Sequence, residues 1–143
     1  MAKGLIAEGT TAKVYDLGNG TVVKKAKQGM WPYIRKEIPA YRIIGNTIHF
    51  PRMISASDKE QSIILTHCGE PAKKGNVPKN WKQQVEEIIT SLTRLKICHR
   101  DIRLSNITVR GGLLYLVDFG HWGSSKEKNK DAVALRRIVG AEK

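Results

Sequence analysis

Apolar and polar residues alternate along this chain with two different periods. In the first half the period is close to two, the spacing of a strand with one covered face. "LIAEG", residues 5–9, is a short run of this kind. "AKVYDLGNGTVVKKA", residues 12–26, makes two such runs around Gly18-Asn19-Gly20, a turn sequence that predicts a hairpin. "HFPRMISA", residues 49–56, and "QSIILTHC", residues 61–68, predict two more strands joined by the polar "SDKE". Between these pairs, residues 31–44 carry Ile34, Ile38 and Tyr41 near helical spacing, and Pro39 interrupts the pattern.

The second half changes period. Trp81, Val85, Ile88, Ile89, Leu92 and Leu95 recur at steps of three and four and predict the clearest helix of the chain, with Asn80 placed to cap it. "ICHRDIRLSN", residues 97–106, reads as a loop, and "ITVRGGLLYLVDFG", residues 107–120, as a second hairpin around Gly111-Gly112. "HWGSSKEKNK", residues 121–130, is a polar loop. "DAVALRRIV" predicts a last helix with Leu135, Ile138 and Val139 on one face and Asp131 near its positive end. Residues 70–80, with two prolines and a glycine, are the expected boundary between a strand-rich part (1–69) and a helix-containing part (81–143) of one 143-residue α+β domain.

Composition adds three constraints. Apolar residues, 41% of the chain, suffice for a packed core and exclude a disordered chain. Lys and Arg number 25 against 13 Asp and Glu, a net +12 that suits a polyanionic partner: nucleic acid, nucleotide or acidic protein. The basic residues are spread out, and their densest clusters are Lys24, Lys25, Lys27 and Lys126, Lys128, Lys130. Cys68 and Cys98 have no metal-type spacing, and no CxxC or HExxH occurs, which argues against a zinc site. No signal-peptide core and no run of transmembrane length is present, so the expectation is a cytoplasmic protein without a membrane partner, or one of the host cytoplasm if its source is viral.

The chemistry concentrates in "HRDIRLSN" and "VDFG". Asp101 and Asn106 flank one loop, and the hairpin that starts after Asn106 returns Asp118 to its neighbourhood. A carboxylate and an amide oxygen converging this way suit a hard, oxygen-seeking ion such as Mg²⁺. Asp101 is then left to accept a proton. Mg²⁺ with few protein ligands usually shares nucleotide phosphates, so the set is a candidate phosphoryl-transfer site.

"HRDIRLSN" resembles the protein-kinase catalytic loop H-R-D-x-x-x-x-N, and "DFG" resembles the metal-binding motif that follows it. The resemblance implies a minimal two-lobed kinase-like fold: a small antiparallel β lobe with one helix and a truncated helical lobe. It implies ATP and Mg²⁺ as cofactors, Asp101 as base, and Asn106 and Asp118 as metal ligands. Arg103 falls where protein kinases carry a phosphate-contacting lysine. "AEGTTAKV" looks like the phosphate loop, with Ala7, Gly9 and Ala12 at the three glycine positions, Thr10 and Thr11 between them, and Val14 after; only the middle glycine is kept. The implied phosphate lysine is Lys24 or its neighbour Lys25, since one alone can face a cleft; position after "GNGTVV" favours Lys24. Its glutamate partner would be Glu37. Thr66 and Cys68 fall on the segment that would pass the adenine, and His99 would pack and hydrogen-bond. His49 and His67 show no partner pattern.

Only 23 residues follow Gly120, with no Ala-Pro-Glu motif. In this the chain is most similar to the small atypical kinases, the RIO family and the KEOPS-complex kinase. The implied activity is transfer of the ATP γ-phosphoryl group to Ser or Thr of a protein substrate, with a partner protein or nucleic acid as a further expectation. A small-molecule phosphotransferase of the aminoglycoside or choline kinase type, or a non-catalytic ATP- or nucleic-acid-binding regulator, are the alternatives.

Overall fold

The computed structural model describes residues 4–124 and 130–142. The fold is α+β, with an antiparallel five-stranded sheet and a few helices. The chain divides into two compact units: residues 1–46 with 51–67, and residues 47–50 with 68–143. Among the described residues no helix is long and apolar enough to cross a membrane.

The first unit is built on β1 (Gly4–Glu8), β2 (Ala12–Asp16) and β3 (Thr21–Ala26), then two short helices, α1 (Trp31–Arg35) and α2 (Ile38–Ile44), then β4 (Met53–Ser57) and β5 (Ser62–Thr66). The sheet order is β1-β2-β3-β5-β4, antiparallel throughout. Alternation decides its faces: along β3, Val22 and Lys24 are buried while Lys25 is exposed. Ile34, Ala40, Tyr41, Ile44, Ile63 and Leu65 supply its buried apolar side chains.

The single helix expected over residues 31–44 is two helices. Pro32 and Pro39 each sit in the first turn of a helix, where the missing N–H has no intrahelical partner to lose. The break falls at Lys36–Glu37, and Glu37 takes the position preceding α2. "HFPRMISA" is a strand only from Met53; His49 has φ 76°.

The second unit contains β6 (Glu70–Pro71), α3 (Trp81–Leu95), β7 (Ile97–Cys98), β8 (Ile107–Arg110), β9 (Leu113–Leu116), β10 (Gly123–Ser124) and α4 (Lys130–Glu142). β8 and β9 form the second hairpin, and Gly111 and Gly112 both have positive φ, as a two-residue turn of this hand requires. β6 adds to β8, and β7 pairs with β10. Residues 70–80, expected as a linker, thus lie inside this unit and begin with one of its strands. Gly69 lets that strand approach: a β-carbon there would stand 1.9 Å from the Val109 carbonyl oxygen.

Val85, Ile88, Ile89 and Leu92 are the buried apolar stripe of α3; Trp81 and Leu95, at its ends, are half-buried. Leu114, Leu116, Phe119, Leu135 and Val139 are fully buried in the same unit, while Ile138 is half-buried. Each such side chain stabilises the fold by roughly 1.5–3 kcal/mol. Asn80 precedes α3 but its side chain does not cap the backbone. Its Oδ1 accepts from Gln84 Nε2 at 2.8 Å instead. Gln84, 2% exposed, also donates to the Gly112 carbonyl at 2.9 Å and accepts from Leu114 N–H at 2.7 Å, so one buried amide joins α3 to the hairpin.

Candidate functional site

In the first unit, alternation along β3 turns Lys24 inward. Its ammonium lies 2.8 Å from Glu37 Oε2 and 3.1 Å from Oε1. The pair is buried, Glu37 being 1% exposed, and the Tyr41 hydroxyl donates to Glu37 Oε1 at 2.9 Å. Tyr41 lies one helical turn after Glu37, so α2 delivers both acid and donor to the lysine. The proline break does not remove Glu37 from the pair; it places the residue at the head of α2.

The loop between β1 and β2 closes with Gly9 N–H donating to the Ala12 carbonyl at 2.9 Å. Ala7, Gly9 and Thr10 are exposed, Thr11 and Val14 half-buried, and Ala12 buried. Gly9 has no positive φ, and a β-carbon there would meet no atom within 4 Å. The protein's own packing therefore does not demand glycine at this position. Thr66 ends β5: its N–H donates to the Arg52 carbonyl, and its hydroxyl oxygen accepts from Arg52 N–H at 3.0 Å. Cys68 opens the second unit, is 7% exposed, and its carbonyl accepts from the Thr108 hydroxyl. No disulfide joins it to Cys98.

In the second unit, Leu104–Asn106 form a single 3₁₀ turn that feeds into β8. Asn106, 6% exposed, donates through Nδ2 to the Asp101 carbonyl at 3.0 Å and to Asp101 Oδ2 at 3.2 Å. Its Oδ1 accepts no hydrogen bond among the described residues. Val117 N–H donates to the Asn106 carbonyl at 2.9 Å, continuing the β8–β9 ladder by one bond. β9 itself ends at Leu116, and the residue after Val117 is Asp118. The hairpin thus returns Asp118 beside Asn106. Asp118 adopts φ 64°, a left-handed conformation uncommon outside glycine, and its Oδ1 accepts from Gly120 N–H at 3.2 Å.

Arg103 lies on Asp101: Nε and one terminal nitrogen reach Asp101 Oδ1 at 2.9 and 2.6 Å. His121 is exposed, with Nε2 3.9 Å from Asp101 Oδ2. His99 is fully buried beneath the loop. Asp101 N–H donates to its Nδ1 at 3.1 Å, which leaves the proton on Nε2 to donate to the Val117 carbonyl at 2.8 Å. Burial pushes the His99 imidazole below its ordinary pKa, against the opposing Val117 bond and nearby carboxylates, so the neutral ring fits both bonds. Phe119 packs edge-on against it, ring centroids 4.8 Å apart.

Two contributions were not legible beforehand. Asp131, expected only to favour the dipole of α4, is 6% exposed and accepts from His99 N–H at 2.7 Å and Arg100 N–H at 3.2 Å. The last helix thereby holds the loop's backbone. His49, which showed no partner pattern, is fully buried, with Nδ1 2.7 Å from the Leu114 carbonyl and Nε2 2.9 Å from Glu87 Oε1. That bond, and then one from Gln83, holds Glu87 below the usual carboxylate range. Nothing in the local sequence signals either residue, because both sets of partners lie more than thirty positions away.

Among the described residues no three His, Cys, Asp or Glu side chains converge as a metal cluster. By donor type Asn106 and Asp118 nonetheless suit Mg²⁺: an amide oxygen that accepts no hydrogen bond among the described residues and a carboxylate one residue past the end of the hairpin ladder, the sparse set of a cation that keeps waters and phosphates as its other ligands. No protein-family model matches the chain, and no curated protein matches it in sequence.

Proposed function

We propose that this protein transfers the γ-phosphoryl group of ATP to a Ser or Thr hydroxyl of a protein substrate, using Mg²⁺. The observation that carries the reading is the arrangement in the second unit. Asn106 donates to Asp101 through its amide nitrogen, its amide oxygen accepts no hydrogen bond among the described residues, and the β8–β9 ladder runs on to Val117, the residue before Asp118. Asn106 and Asp118 would hold the ion, whose contribution when bound is to neutralise phosphate charge. Asp101 would orient the acceptor hydroxyl and take its proton. Arg103, whose side chain is 64% exposed, would exchange Asp101 for the transferred phosphate. Lys24, fixed by Glu37, would hold the α- and β-phosphates, and the Gly9 loop would cover them through its backbone amides. Most of the catalysis would be positioning and charge stabilisation.

The test is incubation with γ-labelled ATP, Mg²⁺ and a generic basic protein, beside Asp101→Asn and Asp118→Ala. We expect label on protein from the wild type, and loss of at least a hundredfold in both variants with the thermal midpoint nearly unchanged. Undiminished labelling by Asp118→Ala would refute the metal assignment. Labelling of metabolites but not protein would move the substrate to the small-molecule class.

A further inference from the structure

The outward face of the first unit's sheet carries a concavity of about 420 Å³, lined chiefly by Glu8, Lys13, Tyr15, Lys25, Lys27 and Gln28. It lies on the face opposite Lys24, since Lys25 alternates with Lys24 along β3. Two features set it apart from an ordinary solvated surface. Lys13 and Lys25 are direct cross-strand partners, so two ammonium groups stem from β-carbons about 5 Å apart. Like charges directly opposite destabilise a sheet, and Lys25 has no ion pair or hydrogen bond among the described residues. One acid is shared among the three: Glu8 is the partner of Lys13 on β1 and attracts it, but its carboxylate is bonded to Lys27 at 2.8 Å, so Lys25 is left with no acid of its own. The second feature is Tyr15, two residues from Lys13 on the same face and half-buried. Side chains on one face repeat about every 7 Å, so an aromatic ring lies one step from the paired ammoniums.

We propose that this face binds single-stranded nucleic acid, with Lys13 and Lys25 on backbone phosphates and a base stacked on Tyr15. A local conflict kept in an otherwise consistent sheet is where a ligand is expected. A single strand offers anionic groups alternating with flat rings, which matches ammoniums beside an aromatic ring. An acidic polypeptide would satisfy the charges and leave the ring unused. The chain's net +12 would speed encounter with either. The proposal does not depend on phosphoryl transfer.

The experiment is fluorescence anisotropy with a labelled twelve-nucleotide oligouridylate, titrated between 20 and 200 mM salt, with a seven-residue polyglutamate as competitor. For the Lys13→Ala/Lys25→Ala double variant we expect at least tenfold weaker binding at low salt. The slope of log affinity on log salt should fall by about 1.4, two contacts at about 0.7 each for single strands. Its thermal midpoint should be nearly unchanged, since the Lys13–Lys25 repulsion and the Lys13–Glu8 attraction are removed together. Tyr15→Leu, which keeps bulk without an aromatic face, should weaken binding about tenfold at unchanged slope. Lys73→Ala/Lys74→Ala, with equal charge loss in the other unit, should weaken it less than twofold. The proposal is overturned by absence of binding at 20 mM salt, by equal loss in the two double variants, or by no loss in Tyr15→Leu. Competition by polyglutamate as effective as by unlabelled oligonucleotide overturns it in favour of an acidic protein partner.

Discussion

Lys24 and Lys25 share a sequence environment and differ in everything that follows from strand alternation. Lys24 stands buried against Glu37, and Lys25 stands exposed. Removing one partner of a buried pair leaves the other charge uncompensated, at a cost of about 3–5 kcal/mol. Lys24→Ala should therefore lower unfolding stability by about 3 kcal/mol in urea titrations, with Tyr41 still donating to Glu37, whereas Lys25→Ala should change it by less than about 0.5 kcal/mol. Equal effects would contradict the pairing. His99 gives a pH signature. Its imidazole is buried neutral and its folded pKa is depressed, so the unfolded chain takes up a proton first as pH falls. Stability is fully present above about 6.5, the unfolded value, and declines as pH drops below it. Thermal melts at pH 7.5 and 5.5 should show a lower midpoint at 5.5. That loss falls in a higher window than any from the depressed carboxylates Glu8, Glu86 and Glu87, which titrate below about 4.5. A flat profile between 7.5 and 5.5 would remove the claim.

At the scale of elements, the strands and the long helix were legible because their periods differ and their turns carry glycine. Both hairpins fall where Gly18-Asn19-Gly20 and Gly111-Gly112 put them, and α3 buries Val85, Ile88, Ile89 and Leu92 as its pattern predicts. The break between α1 and α2 was half legible: Pro39 marked an interruption, but a proline in a first turn starts a helix as readily as one in an interior stops it. Asn80 looked like a cap, and Gln84 claimed its side chain. Gln84 was illegible because its partners sit on a hairpin some thirty residues on, and periodicity reads only the apolar face. Gln84→Ala should strip the Gly112 carbonyl and Leu114 N–H of their partners together and destabilise the second unit by about 2–3 kcal/mol. A change below 0.5 kcal/mol would mean that water replaces the amide. Of the site, the order of Asp101, Asn106 and Asp118 was legible from motif spacing. The supports, Asp131 and His49, were not.

The whole molecule is an unbalanced charge distribution divided between two units. By sequence, the first holds ten basic against five acidic residues and the second fifteen against eight. Each therefore repels itself. Exposed ion pairs such as Arg136–Glu86 and Lys27–Glu8 oppose this, but pairs of that kind contribute little and are themselves screened. Net repulsion should win, so raising salt from 20 to 200 mM should raise the thermal midpoint by a few degrees. A falling midpoint would show that the pairs outweigh the excess charge. Lys126 and Lys128, from the second basic cluster, lie outside the described residues and enter only this count.

The grip of Asp131 on the backbone of His99 and Arg100 also orders events in time. A ribosome delivers the loop first and its acceptor some thirty residues afterwards. Until α4 forms, two loop N–H groups lack the carboxylate that satisfies them. The folding chain can therefore pass through an interval in which the helix α3 and the β8–β9 hairpin are complete while the loop carrying Asp101 still lacks its hold. Docking of Asp131 from α4 is the latch that ends it.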